Sequence, residues 1–179
     1  MATVRFVRDR ARHAADVERL LAAADDEFVP PLTGPGRADV ARSDGEGGPG
    51  TLDEYVERCL ARPMIGAFDG DDLVGFSSFR PLDRAPALDG HLPTNHVSIL
   101  IVDPAYRGRD LAGATYRRLL SDLPADRRRP YVSTKTWSTN RAHLRVLDDL
   151  GFACVERRPD DRGEGVDTVY YARATEFGD

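Results

Sequence analysis

Residues 96–102, His-Val-Ser-Ile-Leu-Ile-Val, form a nearly continuous apolar run. A run of this length and composition is expected of a central strand buried on both faces. A strand-to-helix turn, Asp-Pro-Ala-Tyr-Arg-Gly-Arg, follows directly, and a helix is expected over about 110–122. A buried strand needs a sheet around it, and the rest of the chain supplies one. Residues 3–7 alternate as a strand, and 64–68 and 73–79 flank an Asp-Gly-Asp-Asp turn as a hairpin. Further strands are expected at 129–134, 153–158 and 167–173. Helices are expected at 9–27, with Val17, Leu20 and Leu21 on its apolar face, from Thr51 to about Arg62, and at 138–152. Thr51 and Glu54 have the spacing of a capping box, and Gly151 closes the last helix. Segments 28–50 and 81–95 are rich in Pro, Gly and Asp and read as long loops. The order is mixed α/β around one sheet, in a chain of 179 residues that suits a single domain over 1–179.

The bulk numbers exclude some roles. The net charge of −5 argues against a general binder of nucleic acid or anionic membrane. Lys135 is the sole lysine among 25 basic residues, an arginine bias that suits a GC-rich genome. The two cysteines, Cys59 and Cys154, lie far apart without metal-ligand spacing, so they read as small apolar residues and no metal is expected. The N-terminus carries charges where a signal peptide has an apolar run, and no stretch approaches the ~18 apolar residues of a membrane helix. A cytoplasmic protein is expected.

The turn after the central strand can do chemistry. The first N–H groups of a helix are unpaired and point outward, and the helix dipole makes that end positive. Arg107 and Arg109 on either side of Gly108 add donors suited to phosphate. The bland alternative is a solvated turn with surface arginines.

The wider pattern Val102-Asp-Pro-Ala-Tyr-Arg-Gly-Arg-Asp-Leu-Ala112 resembles the pyrophosphate-binding motif of the GNAT N-acetyltransferases. That motif is Arg or Gln, two residues, Gly, one residue, then Gly or Ala. Arg107 matches its first position and Ala112 its last, whereas Asp110 stands where the family has glycine. A carboxylate there should repel pyrophosphate. Either it turns onto its own backbone as the N-cap of the helix, the favoured expectation, or it weakens cofactor binding. A second stretch, 137–152, resembles the helix carrying the family's second cofactor-binding region. Asn140 opens it and Gly151-Phe152 ends it, at the family's spacing. The resemblance covers roughly 60–175. It implies an α/β fold of the GNAT type, a mixed, mostly antiparallel sheet flanked by helices and splayed between its fourth and fifth strands. Acetyl-CoA would lie in the gap. The implied cofactor set is Ile101 and Val102 on the strand, then Arg107, Gly108, Arg109 and Asp110 in the turn. Leu111, Ala112 and Gly113 at the helix start and Asn140 complete it.

Acetyl transfer needs a neutral amine and stabilisation of the oxyanion on the thioester carbonyl. A lysine-type amine titrates near 10.4 and an α-amine near 7.7–8.0, so the proton must be accepted by something. In the resembled family, backbone N–H groups at the splay serve the oxyanion, here Ile101 and Val102. A glutamate that some members carry eleven residues before the motif's arginine serves as base; His96 takes that place, as the base or as a strand-edge histidine satisfied by water. The acid is usually a tyrosine seven residues after the Asn. This chain has Leu147, which recurs with Leu144 and Leu150 at helix spacing and reads as core. His143 on the Asn140 face and Tyr170 or Tyr171 on the last strand are the substitutes, though a surface histidine and core tyrosines are the favoured readings of these residues. Trp137 and Ser138 either line an acceptor tunnel or join the core. Acceptor specificity is expected in the two long loops. There Arg37, Arg42 and Arg84 hint at an acidic acceptor, and Asp44, Glu46 and Asp89 at a cationic one. The reading is therefore an N-acetyltransferase for a small-molecule or peptide amine, with a homodimer expected from resemblance. A non-catalytic acyl-CoA sensor and an interaction module without cofactor are the alternatives.

Overall fold

The computed structural model describes residues 1–35 and 50–177. In chain order it contains β1 (Thr3–Phe6), α1 (Ala14–Ala24), α2 (Leu52–Ala61), β2 (Met64–Asp69) and β3 (Asp72–Leu82). β4 (Thr94–Val102), α3 (Leu111–Ser121), β5 (Tyr131–Trp137), α4 (Arg141–Asp149), β6 (Ala153–Arg158) and β7 (Thr168–Ala174) follow. The strands form one sheet in the order β1-β2-β3-β4-β5-β7-β6. Every neighbouring pair is antiparallel except β4 and β5.

Two apolar clusters hold helices to the sheet. Val17, Leu20 and Leu21 of α1 pack with Tyr55 and Cys59 of α2 onto Phe76, Ile99 and Ile101. Tyr116, Leu119 and Leu120 of α3 pack with Leu147 of α4 onto Phe79, Val97 and Val132. Burying one Leu or Phe side chain contributes about 1.5–3 kcal/mol, so these two clusters dominate the cohesion of the layers. The expected capping box of α2 is present: Thr51 N–H donates to Glu54 Oε2 at 2.9 Å and Glu54 N–H to Thr51 Oγ1 at 3.3 Å. Among the described residues no helix is long and apolar enough to cross a membrane.

Some boundaries moved for local reasons. The helix expected over 138–152 starts at Arg141, because the Asn140 side chain accepts from His143 N–H at 3.4 Å and caps it there. The helix expected over 9–27 is α1 with a 3-10 turn at each end, Ala11–His13 and Asp25–Glu27. The 81–95 segment is shorter as a loop than expected, because β3 runs to Leu82 and β4 begins at Thr94.

The feature that shapes the site is inside β4. Val97 faces the α3–α4 cluster, yet Ile99 faces the α1–α2 cluster. Residues two apart in a regular strand share a face. The flip arises because Ser78 pairs with Ile99 and Phe79 with Val97, leaving Ser98 as an extra residue in a β-bulge. The parallel pairing of β4 with β5 covers only Thr94–Val97 against Tyr131–Thr134. The strands part at the bulge, and the wedge between them is the cleft.

Gly75 lies opposite Val102 on β3, and a Cβ on it would sit 2.9 Å from the Ile101 carbonyl oxygen. Backbone in a central strand cannot step aside as a flexible side chain can. Gly75→Ala is expected to destabilise the fold by about 1–3 kcal/mol, as overpacking does, read as a lower urea midpoint with an unchanged slope.

Candidate active site

The cleft between β4 and β5 has a volume of about 440 Å3. Ser98–Val102 form one wall and Thr134–Trp137 the other. The turn from Tyr106 to Ala112 closes one end, Glu27 and Phe28 after α1 stand at its rim, and Asn140, His143 and Val146 approach from α4. Asp103 N–H donates to the Val74 carbonyl at 2.9 Å, so this residue's backbone faces β3. Alternation turns Ile101 the same way and points the N–H and C=O of Leu100 and Val102 into the gap. The contact between Gly75 and the Ile101 carbonyl agrees with that direction. The expectation for Ile101 is thus corrected: on the open edge the backbone donors are Leu100 and Val102. Sequence reasoning missed Leu100, although counting back in twos from Val102 finds it.

The turn is braced from below. Asp103 Oδ1 accepts from Ala105 N–H at 2.9 Å, and its Oδ2 pairs with Arg19 at 2.9 Å. The Tyr106 hydroxyl donates to Asp69 Oδ2 at 2.8 Å, and the Arg109 guanidinium lies 4.9 Å from the Tyr106 ring. Gly108 and Asp110 both have left-handed backbones, with φ of 74° and 57°. The turn leads directly into the start of α3, where the leading N–H groups and the helix dipole favour an anion. Arg107 donates through Nε to the Val102 carbonyl at 3.2 Å and through Nη2 to Glu27 Oε2 at 2.6 Å, across the mouth of the cleft.

The N-cap expectation for Asp110 is also corrected. Its side chain makes no capping hydrogen bond. A capping residue needs an extended backbone, and Asp110 is left-handed. Its carboxylate pairs with Arg117 instead. The same φ explains why glycine suits this position and why Asp, one of the few residues tolerant of it, can replace glycine.

Val102, Arg107, Gly108, Asp110, Leu111, Ala112, Asn140 and His143 all line the one cleft. Gly113 lies beneath Asp110, and Arg109 lines a groove on the outer side of α3. Asn140 Nδ2 donates to Thr136 Oγ1 at 3.1 Å and ties α4 to the cleft wall. His96 and Tyr170 are placed elsewhere. His96 is 1% exposed, and its Nδ1 shares a hydrogen bond of 2.9 Å with Ser133 Oγ. It pairs with Ser133 where β4 and β5 are still joined, short of the splay, and does not line the cleft. Tyr170 packs with Leu82, Ala85 and Leu88, with the Arg158 guanidinium 5.2 Å from its ring. The 81–95 segment, with Arg84 and Asp89, packs near Tyr170 and contributes nothing to the cleft. Arg37, Arg42, Asp44 and Glu46 lie outside the described residues.

His143 has a partner the sequence did not suggest. Its Nε2 shares a hydrogen bond of 2.8 Å with the Tyr116 hydroxyl, and the two rings stack with centroids 5.8 Å apart. Burial pushes the His143 imidazole down to about 4, so it is neutral at pH 7 and holds no imidazolium proton to give. Burial also holds the Tyr116 phenol well above its usual range, partly offset by a hydrogen bond with Thr134. Leu147, where the resembled family has its tyrosine, is fully buried and cannot reach the cleft. Trp137 does line it, with the Phe28 ring 5.4 Å away and the Arg162 guanidinium 5.6 Å from the indole. Arg162 also donates to the Val29 carbonyl at 2.9 Å, fixing the segment that carries Phe28.

A family model described as the acetyltransferase (GNAT) family matches residues 35–152. The chain belongs to this family. Solved GNAT-fold structures agree along its whole length. The protein yncA from Salmonella typhimurium, solved with its cofactor acetyl-CoA, superposes with a TM-score of 0.66 at 19% identity, over 99% of this chain and 96% of its own. An N-acetyltransferase from Staphylococcus aureus gives 0.66 at 14% identity, over 97% and 98%. The ribosomal-protein-S18-alanine N-acetyltransferase from Escherichia coli gives 0.65 at 15%, over 100% and 97%. At these identities the likeness is one of fold. No curated protein matches the chain.

Proposed function

We propose that the protein transfers acetyl from acetyl-CoA to an amine of a small molecule or peptide, by direct attack in a ternary complex. The observation that carries this reading is the parted edge of β4, which leads from the bulge at Ser98 to the turn at Arg107–Ala112 that closes one end of the cleft. The residues present fit the cofactor. The turn offers Arg107 and the leading N–H groups of α3 for a pyrophosphate, and the cleft beside it is lined by Ile99, Leu100, Ile101 and Val146. When bound, acetyl-CoA supplies the acetyl group as a thioester.

This chain's residues would do the following. Arg107 and the N–H groups from Asp110 to Ala112 hold the phosphates. Leu100 and Val102 offer backbone N–H donors to the pantetheine arm and the carbonyl oxygen. Asn140 keeps α4 against β5, and neutral His143 hydrogen-bonds at the cleft wall. Phe28 and Trp137 form the side from which the acceptor enters. Neither His96 nor Tyr170 lines the cleft, so in this reading the ammonium proton leaves through water, and so does the proton that reaches the leaving thiolate. A thiol of ordinary pKa about 8.5 needs no dedicated acid. The reading places the enzyme in the cytoplasm, as a homodimer, independent of nucleic acid and membrane.

Calorimetric titration of CoA and acetyl-CoA into the purified protein tests it, followed by a screen of amines for thiol release. Micromolar binding with turnover is expected. Tight binding without turnover on any amine would favour the sensor, and no binding at millimolar cofactor would replace the enzyme with an interaction module.

A further inference from the structure

A carboxylate in a phosphate-binding turn is a liability, and the structure shows where that of Asp110 goes. Its left-handed backbone carries the side chain along the first turn of α3 instead of onto the leading N–H groups. The carboxylate lies over Gly113, where any Cβ would overlap it. It ends on the guanidinium of Arg117, two turns into α3. Arg117 lines the groove on the outer side of α3 and not the cleft itself. Two other arginines of that groove are engaged elsewhere: Arg118 pairs with Asp122, and Arg109 lies on the Tyr106 ring.

We propose that Arg117 is a positioning residue of the cofactor site, which holds the Asp110 carboxylate away from the anion-binding N–H groups and cancels its charge. Gly113 completes the arrangement by leaving the helix surface open beneath the carboxylate. The turn can then keep a left-handed residue without glycine and still accept a polyanion. This inference rests on the acetyl-CoA reading. It assigns Arg117 no contact with the cofactor: its effect on binding must pass through Asp110.

The pair is roughly half exposed, with side chains 52% and 63% accessible, so solvent screens it and the effect should be moderate. Calorimetric titration of CoA at low salt into the wild type, Arg117→Ala, Asp110→Asn and the double variant decides the matter. Asparagine keeps the shape and tolerates the left-handed backbone. Arg117→Ala is expected to weaken CoA binding about fivefold, less at high salt, while Arg117→Lys retains most of the affinity. In the Asp110→Asn background the same Arg117→Ala change should cost less than about twofold. An equal loss in both backgrounds would mean that Arg117 touches the cofactor itself, and no loss in either would mean that Asp110 needs no shielding; both overturn the proposal and leave the acetyl-CoA reading intact. Binding by Asp110→Asn but not by wild type would show that Arg117 fails to shield the site. Binding by none of the four would remove the acetyl-CoA reading, and this inference with it.

Discussion

Arg107→Ala should weaken acetyl-CoA binding by about 10- to 100-fold, measured as the calorimetric dissociation constant. A hydrogen bond between charged partners contributes about 1.5–3 kcal/mol, and each 1.4 kcal/mol is a factor of ten. A second consequence pushes in the same direction. In the free protein Arg107 neutralises Glu27 at 2.6 Å across the mouth of the cleft. Removing the guanidinium leaves that carboxylate facing the incoming phosphates. The double variant Glu27→Gln with Arg107→Ala should therefore bind better than Arg107→Ala alone. Because Arg107 is held by the Val102 carbonyl at the phosphate end, the loss should fall mainly on the KM for acetyl-CoA, with kcat changed little. An unchanged dissociation constant would take Arg107 out of the cofactor site.

The second large effect is on stability in acid. The imidazole of an unfolded chain titrates near 6.5, whereas burial pushes His143 down to about 4 in the fold. Between these values the unfolded chain binds a proton that the folded one refuses. Stability is therefore complete above about pH 6.5, falls as the pH drops towards 4, and has lost this contribution below that. The whole contribution is on the order of 3 kcal/mol. Urea midpoints measured from pH 7 to pH 4 should drop more for the wild type than for His143→Gln. Tyr116→Phe removes the phenol but leaves the site buried, so most of the acid loss should persist in that variant. An identical pH dependence in wild type and His143→Gln would show that His143 titrates normally. For catalysis the corollary is that a pH–rate profile above about pH 5 carries no inflection from His143.

The identity and order of the strands and helices were legible in the sequence, because the signals are local. The alternation of 3–7, the apolar face of Val17, Leu20 and Leu21, and the Thr51–Glu54 box each involve residues within a turn or two of one another. The turn at 102–113 and the helix after Asn140 were legible for the same reason, and with them the family; both border the cleft between β4 and β5. Tertiary structure alone decided the rest. A bulge at Ser98 inside a nearly continuous apolar run has no alternation to break, yet it flips the faces of β4 and starts the splay. The distance from Arg107 back to His96 counts residues and not pairings, so it could not show that His96 falls where β4 and β5 are still joined. Tyr116 and His143 stand 27 residues apart on two helices, and their hydrogen bond exists only once both helices pack on the same face of the sheet. Asp110 is the sharpest case: its residue type suggested a cap, and its left-handed backbone sent the carboxylate to Arg117 instead. Local chemistry determined which elements form; the direction in which each side chain points depended on pairing register and backbone angle, which only the packed chain sets.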